Sequence, residues 1–234
     1  MTIQEIKEQT GKTAVEALVK SGMKIGLGTG STALYVIRHV GLLLQQGVLH
    51  DICAVPTSFQ SAQECYRSNI PVYALDSPCI KGRLDLSIDG ADEVDRNLFC
   101  IKGGGGALLL EKIIAYNSDS YCLVVDKSKC VESLGLVFPV PLEVIPEARV
   151  PVTQALEKRG LRVTVREAVR KVGPVITEHG NILLDVLFPK PVNPPEWEAA
   201  LVQIAGIVES GFFTGIKPTV FVGDESGKVE NLCR

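Results

Sequence analysis

The chain has 234 residues, with 24 Lys and Arg against 27 Asp and Glu, a net charge of -3 and a hydrophobic fraction of 46%. That length holds one large domain, or a larger one with a smaller companion, and a sizeable core. The mildly acidic balance and lack of a basic stripe argue against nucleic acid as main partner; no uncharged apolar run reaches the roughly 18 residues of a membrane span, so a soluble, cytoplasmic protein is expected.

MTIQEIKEQTGK opens the chain with polar and acidic residues, unlike a signal or transit peptide. Apolar spacing through Ile3, Ile6, Ala14, Ala17 and Leu18 predicts an amphipathic helix closed by Gly22 at its C′ position. MKIGLGTGSTALYVIRHVGLLLQQG then reads as a short strand, a glycine turn and a long helix. Gly26, Gly28 and Gly30, with Thr29, Ser31 and Thr32, set hydroxyls and backbone N–H groups at a helix start, which suits phosphate. Ser31 or Thr32 as a simple helix cap is the plainer reading, but three alternating glycines exceed what a cap requires. The loop lacks the dinucleotide fingerprint, and the next strand, ICAVPTS, ends in Thr57 and Ser58 where a ribose-binding acid would stand. It also lacks the Walker A lysine, so neither a dehydrogenase nor an ATPase is favoured.

SFQSAQECYRSNI predicts a helix and PVYAL a strand, so residues 22–126 alternate strand and helix like a parallel, doubly wound sheet. LDLSID, residues 84–89, alternates apolar and polar, placing Asp89 at a strand's carboxyl end, where open α/β sheets bind ligands. Gly90 and Ala91 form the turn to Asp92, three residues after Asp89, so both carboxylates can face one crevice; a plain Asp-Gly turn is the bland alternative. FCIK is a second short strand, and Lys102 leads into Gly103, Gly104, Gly105 and Gly106 before an apolar helix. Such a loop lets backbone N–H groups approach an anion, whereas a flexible linker seldom runs straight into an apolar helix. In that helix Glu111 shares a stripe with Ala107, Leu108, Ile114 and Ala115. A partly desolvated carboxylate suits a general base; the alternative is a solvated Glu paired with Lys112.

SYCLVVDKSK ends a strand at Asp126, with Lys127 and Lys129 beyond it. From VPLEVI onward the order is strand, helix (VTQALEKRG), strand (LRVTVREA), strand (NILLDVLF), helix (PPEWEAALVQI), strand (VESGFF). This β-α-β-β-α-β order is that of a ferredoxin-like α+β domain. A final apolar strand in KPTVFVGDESGKVENL is expected to return to the first domain. The expected division is 1–136 with 215–234 as a Rossmann-like catalytic domain, and 137–214 as an inserted lid or oligomerisation domain.

Seven scattered cysteines without a CxxC pair, Cys53, Cys65, Cys79, Cys100, Cys122, Cys130 and Cys233, read as reduced, mostly buried thiols, and His39, His50 and His179 lack metal-ligand spacing. Cys100, two residues before Lys102, reads as a small core residue rather than an oxidisable thiol.

GLGTGSTA, SIDGADEVD, KGGGGALLLEK and DKSK, in this order and at these separations, resemble ribose-5-phosphate isomerase of the A type across almost the whole chain. The resemblance implies interconversion of D-ribose 5-phosphate and D-ribulose 5-phosphate through an enediolate, a step of the non-oxidative pentose phosphate branch, with no cofactor and no metal. By position it makes Glu111 the base, Asp89 and Asp92 the carboxylates that bind sugar hydroxyls and help open the ring, and Lys102 the cation beside the developing oxyanion. Thr29, Gly30, Ser31, Thr32, Gly90, Ala91, Gly103, Gly104, Gly105 and Lys129 become substrate and phosphate contacts, and a homodimer or homotetramer is implied. Two departures stand out: Leu110 occupies a position where many relatives carry Arg, and Lys7 and Lys12 fall only approximately in register with a first-helix lysine near the phosphate. A sugar-phosphate-sensing regulator is the rival of another class, but it needs a DNA-binding head for which the first twenty-odd residues leave no room. A related sugar-phosphate deaminase or CoA transferase remains; a deaminase would bring a histidine near its base, and none lies within these motifs.

Overall fold

A computed structural model describes residues 1–232, so Cys233 lies outside the described residues. Six helices, α1 (Ile3–Leu18), α2 (Ala33–Gln45), α3 (Phe59–Arg67), α4 (Leu108–Tyr116), α5 (Arg149–Glu157) and α6 (Pro194–Leu201), accompany thirteen strands. These are β1 (Lys24–Leu27), β2 (Cys53–Pro56), β3 (Leu84–Asp89), β4 (Glu93–Val94), β5 (Cys100–Ile101), β6 (Ser118–Asp126), β7 (Val140–Val144), β8 (Arg162–Val165), β9 (Ile182–Leu187), β10 (Ile207–Ser210), β11 (Phe212–Phe213), β12 (Thr219–Gly223) and β13 (Val229–Leu232). They pack into two units: Met1–Ala91 with Leu110–Lys129 and Ile216–Arg234, and Asp92–Leu109 with Cys130–Gly215.

The first unit is a six-stranded sheet in the order β13-β12-β6-β3-β1-β2, parallel except for the edge strand β13. Alternation sorts its side chains onto two faces. Ile25, Leu27, Ala54, Leu86, Ile88 and Val124 bury against Ala14, Val36, Ile37, Val40 and Cys65 of α1–α3, while Val55 of the opposite face meets Ile114 of α4. Each Val, Leu or Ile among them contributes about 1.5–3 kcal/mol relative to exposure. Burial pushes the Cys65 thiol up to about 12, which makes it an inert core residue. Connections run from β1 outward to β2, and from β3 the other way to β6, so the topology switches between β1 and β3, the place where open α/β sheets bind ligands.

In the second unit, β10-β7-β9-β8 form an antiparallel sheet. Counted within the β-α-β-β-α-β segment its strand order is four-one-three-two, as a ferredoxin-like fold requires, and Val152, Leu156 and Leu201 of α5 and α6 bury in its core with Val140, Leu142, Leu184 and Val186. A small sheet, β11-β5-β4, belongs to the same unit. Glu93 explains why: its buried carboxylate accepts from Gly135 N at 2.8 Å and Phe138 N at 3.0 Å, and Val131 N donates to Val94 O at 2.9 Å. The 1–136, 137–214 and 215–234 division drawn from sequence therefore differs from the packing, which groups residues 92–109 and 130–136 with the second unit.

Three local expectations change. PVYAL is no strand, only an isolated parallel bridge between Val72 and Ala54; Pro71 lacks a donor and the chain turns again near Ser77, where Ile80 N and Lys81 N bond back to its carbonyl. The first helix ends earlier than expected, with Val19 as C-cap, and Gly22 serves instead in the turn before β1 at φ +83°. VESGFF divides at Gly211, where a Cβ would meet Lys102 O and Pro141 Cδ at 2.5 Å, so the stretch enters two different sheets as β10 and β11.

Candidate active site

Four strand ends of the first unit gather the polar residues at the switch point. Asp89, 1% exposed at the end of β3, accepts at Oδ1 from Thr29 N at 3.0 Å and Gly90 N at 2.7 Å. Gly28 makes this approach possible, because a Cβ there would lie 2.0 Å from Asp89 Oδ1 and 2.6 Å from its Cα. Gly26 is required by packing of another kind, since its Cβ would meet Ile114 Cγ2 of α4 at 2.4 Å. Only Gly30, at φ +102°, owes its place to backbone conformation. Two of the three glycines thus hold the sheet and its carboxylate together, a role that the bare G-x-G-x-G spacing does not reveal.

Thr29 Oγ1 sits 2.7 Å from Thr57 Oγ1 and 2.6 Å from Ser58 Oγ, and Gly30 N donates to Gln60 Oε1 at 2.9 Å. Thr32 is the residue before α2, but its side chain makes no capping bond. Ser31 does not cap either; its Oγ accepts from Lys7 Nζ at 2.8 Å. Lys7 arrives there because Gly11, one turn further along α1, lets that helix close on α2, its Cβ position lying 3.2 Å from Val36 N. Lys12 instead stays 4.0 Å from Glu16 on the same helix. Leu34 N and Tyr35 N of the first turn bond back to Gly30 O at 3.1 Å and Thr32 O at 3.1 Å, so what this end of α2 offers an anion is an ammonium, a hydroxyl and the positive end of the helix dipole. At the end of β6, Asp126 accepts from Ser128 N at 3.0 Å and from Ser128 Oγ, fixing the turn that carries half-buried Lys129. Glu111, in the first turn of α4, is 4% exposed, beside fully buried Leu108 and Ile114.

In the second unit Asp92 is held at both ends. Its N donates to Ile101 O at 2.8 Å and its Oδ2 accepts from Gly104 N at 2.8 Å. A Cβ on Gly104 would lie 2.5 Å from Asp92 Oδ1 and push that carboxylate aside; Gly103 has φ +101° and packs on Leu108. Gly105 is exposed beside them. Lys102, 2% exposed at the end of β5, places its ammonium 5.8 Å from the centre of the Phe213 ring, a cation–π contact that partly offsets its desolvation. Burial to this degree is rare for Lys, Asp and Glu outside functional or paired settings.

Residues 53–227 match the family of ribose 5-phosphate isomerase A (phosphoriboisomerase A). Ribose-5-phosphate isomerase A of Treponema denticola is 48% identical over 99% of this chain and all of its own length. That of Treponema pallidum is 50% identical over 93% of this chain and 88% of its own. A solved D-ribose-5-phosphate isomerase in complex with phospho-erythronic acid is 40% identical, covers both chains fully and superposes with a TM-score of 0.95; the enzyme from Methanocaldococcus jannaschii is also 40% identical over both full chains, at 0.92. The chain belongs to the ribose 5-phosphate isomerase A family.

Within this ribose 5-phosphate isomerase A chain, Leu110 finds an apolar setting beside Val55, Ile80, Leu84 and Ile114, so the position before Glu111 contributes packing rather than an ion pair. Cys100 is 1% exposed within β5, a core residue. Lys7 is the residue that motif reading left out; its only sequence signal is its place on the first helix. Among the described residues no three His, Cys, Asp or Glu side chains form a metal-ligand cluster, and no helix is long and apolar enough to cross a membrane.

Proposed function

We propose that the chain interconverts D-ribose 5-phosphate and D-ribulose 5-phosphate by proton transfer through an enediolate, with Glu111 as the base. The observation that carries this is the burial of one glutamate, one lysine and one aspartate, Glu111, Lys102 and Asp89, within the family's own motifs. Glu111 removes the C2 proton, and the electrons of that bond move into the C1 carbonyl, leaving an enediolate charge on O1. Lys102 and the glycine-loop N–H groups stabilise that charge. Glu111 then delivers the proton to C1 while the O2 proton passes to O1, which leaves the carbonyl at C2. Asp89 and Asp92 bind sugar hydroxyls and assist ring opening, the two lying no more than about 11 Å apart along the chain. Thr29, Gly30, Ser31, Thr32 and Lys129 contact the phosphate end, and Lys7 joins them. No cofactor or metal takes part in these steps.

The substrate is tested by assaying the purified chain with ribose 5-phosphate, allose 6-phosphate and glucosamine 6-phosphate, each with a chelator present. Conversion of ribose 5-phosphate that survives chelation is expected; preference for either six-carbon substrate would overturn the assignment. Lys7→Ala is expected to raise KM for ribose 5-phosphate by about tenfold with kcat nearly unchanged, the mark of lost uniform binding. An unaltered KM would remove Lys7 from the phosphate site. We infer a cytoplasmic homodimer or homotetramer, and light scattering distinguishes the two by mass.

A further inference from the structure

We propose that Arg166, clamped by Asp185, is a positioning residue for the isomerase reaction: it sets the orientation of the glycine-loop peptides and, through one of them, of Asp92. The inference rests on the reading above, in which that loop and Asp92 meet the substrate. Arg166 follows β8 directly and is fixed on both sides by backbone bonds, its N donating to Leu183 O at 2.9 Å and its O accepting from Val175 N at 2.8 Å. Its guanidinium faces Asp185 of β9 in a two-pronged pair, Nε to Oδ2 at 2.9 Å and Nη2 to Oδ1, with both side chains 16% exposed. One nitrogen remains, and Nη1 donates to two successive carbonyls, Gly103 O at 2.8 Å and Gly104 O at 3.0 Å.

The consequence follows from the planar trans peptide, in which C=O and N–H point in opposite directions. The carbonyl of Gly103 and the N–H of Gly104 belong to one peptide unit. Arg166 holds its oxygen, and Asp92 Oδ2 accepts from its nitrogen at 2.8 Å. A cation, one peptide group and a carboxylate are therefore in series, and each hydrogen bond polarises the next. The next peptide behaves alike: with Gly104 O drawn to the same Nη1, the N–H of Gly105 points away from the guanidinium. The Gly104 N–H is committed to the Asp92 carboxylate, so the orientation of its peptide is also the orientation of Asp92. Four consecutive glycines have no side chains with which to fix this conformation, and each is costly to order. Partners of the loop's peptide groups have to impose it: Gly106 N closes a turn on Gly103 O at 2.9 Å, and the Arg166 fork adds a cation to both carbonyls, a partner that lysine cannot replace fully.

The test compares full-length Arg166→Ala, Arg166→Lys and Asp185→Asn with the parent, measuring kcat and KM for ribose 5-phosphate and calorimetric affinities for phospho-erythronic acid and inorganic phosphate. Phospho-erythronic acid carries a planar carboxylate resembling the enediolate, whereas inorganic phosphate reports on the Lys7 and Ser31 site of the other unit. Arg166→Ala is expected to lower kcat/KM by about 100-fold, the scale of a displaced positioning group. It should weaken phospho-erythronic acid more than tenfold while leaving the phosphate affinity within about twofold. Arg166→Lys, able to serve one carbonyl, and Asp185→Asn should fall between Arg166→Ala and the parent. Equal weakening of both ligands would show general structural damage and overturn the proposal, as would kcat/KM and analogue affinity within about threefold of the parent. Should Arg166→Ala fail to fold, Arg166→Lys and Asp185→Asn decide by the same criteria. Glu111→Gln separates the two levels of inference: an active Glu111→Gln enzyme refutes the underlying reading, whereas an inactive one beside parental Arg166→Lys and Asp185→Asn refutes the clamp alone.

Discussion

Glu111→Gln is expected to lower kcat for ribose 5-phosphate by roughly 10² to 10⁴ while KM changes little, because positioned acid–base groups contribute rate factors of that size. The amide matches the carboxylate in shape and can still hydrogen-bond, so it fits the same buried position in the first turn of α4. What it loses is the ability to accept a proton from carbon, an interaction made only as the reaction proceeds. A change confined to the transition state appears in kcat and kcat/KM equally, at about 3–5 kcal/mol for such factors. Calorimetry with phospho-erythronic acid checks that the site still binds. Turnover within about threefold of the parent would take Glu111 out of the base role and leave the reaction without a proton carrier among the named residues.

How far the sequence reveals this site depends on the range of the interaction that sets each part. LDLSID becomes β3 residue for residue because its alternation is local and both neighbouring strands agree with it. The β-α-β-β-α-β order is equally legible, since each segment carries its own period even where the connection is long, as between Val165 and Ile182. PVYAL misleads because composition alone suggests a strand, while Pro71 and the turn at Ser77 leave room for one bridge. Residues 92–109 and 130–136 join the second unit for reasons carried by Glu93, whose bonds to Gly135 and Phe138 span more than forty positions. Lys7 is missed for the same reason: it reaches Ser31, 24 residues away, only after Gly11 has allowed α1 to settle on α2. Arg166 leaves no local trace at all, for its partners Gly103 and Gly104 precede it by more than sixty residues. The glycines of the first loop are the instructive case, being visible as a motif yet ambiguous in purpose. Phosphate binding, capping and close packing all call for small residues, and only the three-dimensional neighbours separate them.

Gly28→Ala turns that distinction into a measurement, with an expected loss of both stability and catalysis. The φ angle is not the obstacle here, as Gly28 lies outside the left-handed region. Space is: the new methyl would lie 2.0 Å from Asp89 Oδ1, 2.2 Å from its Cγ and 2.6 Å from its Cα. A side chain could swing aside, but the Cα belongs to β3, so relief requires β1 and β3 to part at their carboxyl ends. That movement stretches the bonds from Gly28 N to Ile88 O and from Thr29 N to Asp89 Oδ1, both 3.0 Å long. Overpacking of this kind costs about 1–3 kcal/mol, and a weakened hydrogen bond adds about 1 kcal/mol. For a chain of this size the sum corresponds to a fall in Tm of roughly 4–16 °C. Because the displaced group is Asp89 itself, kcat/KM should drop by about 100-fold or more, beyond what a loss of folded protein explains. Gly90→Ala provides the stability control two positions past Ile88, where a Cβ meets nothing closer than Thr29 O and Val124 O at 3.9 Å and Tm should stay within about 2 °C. A Gly28→Ala enzyme with parental Tm would show that the strands yield without cost, and the crevice between β1 and β3 would then be looser than a carboxylate anchored by two backbone N–H groups requires.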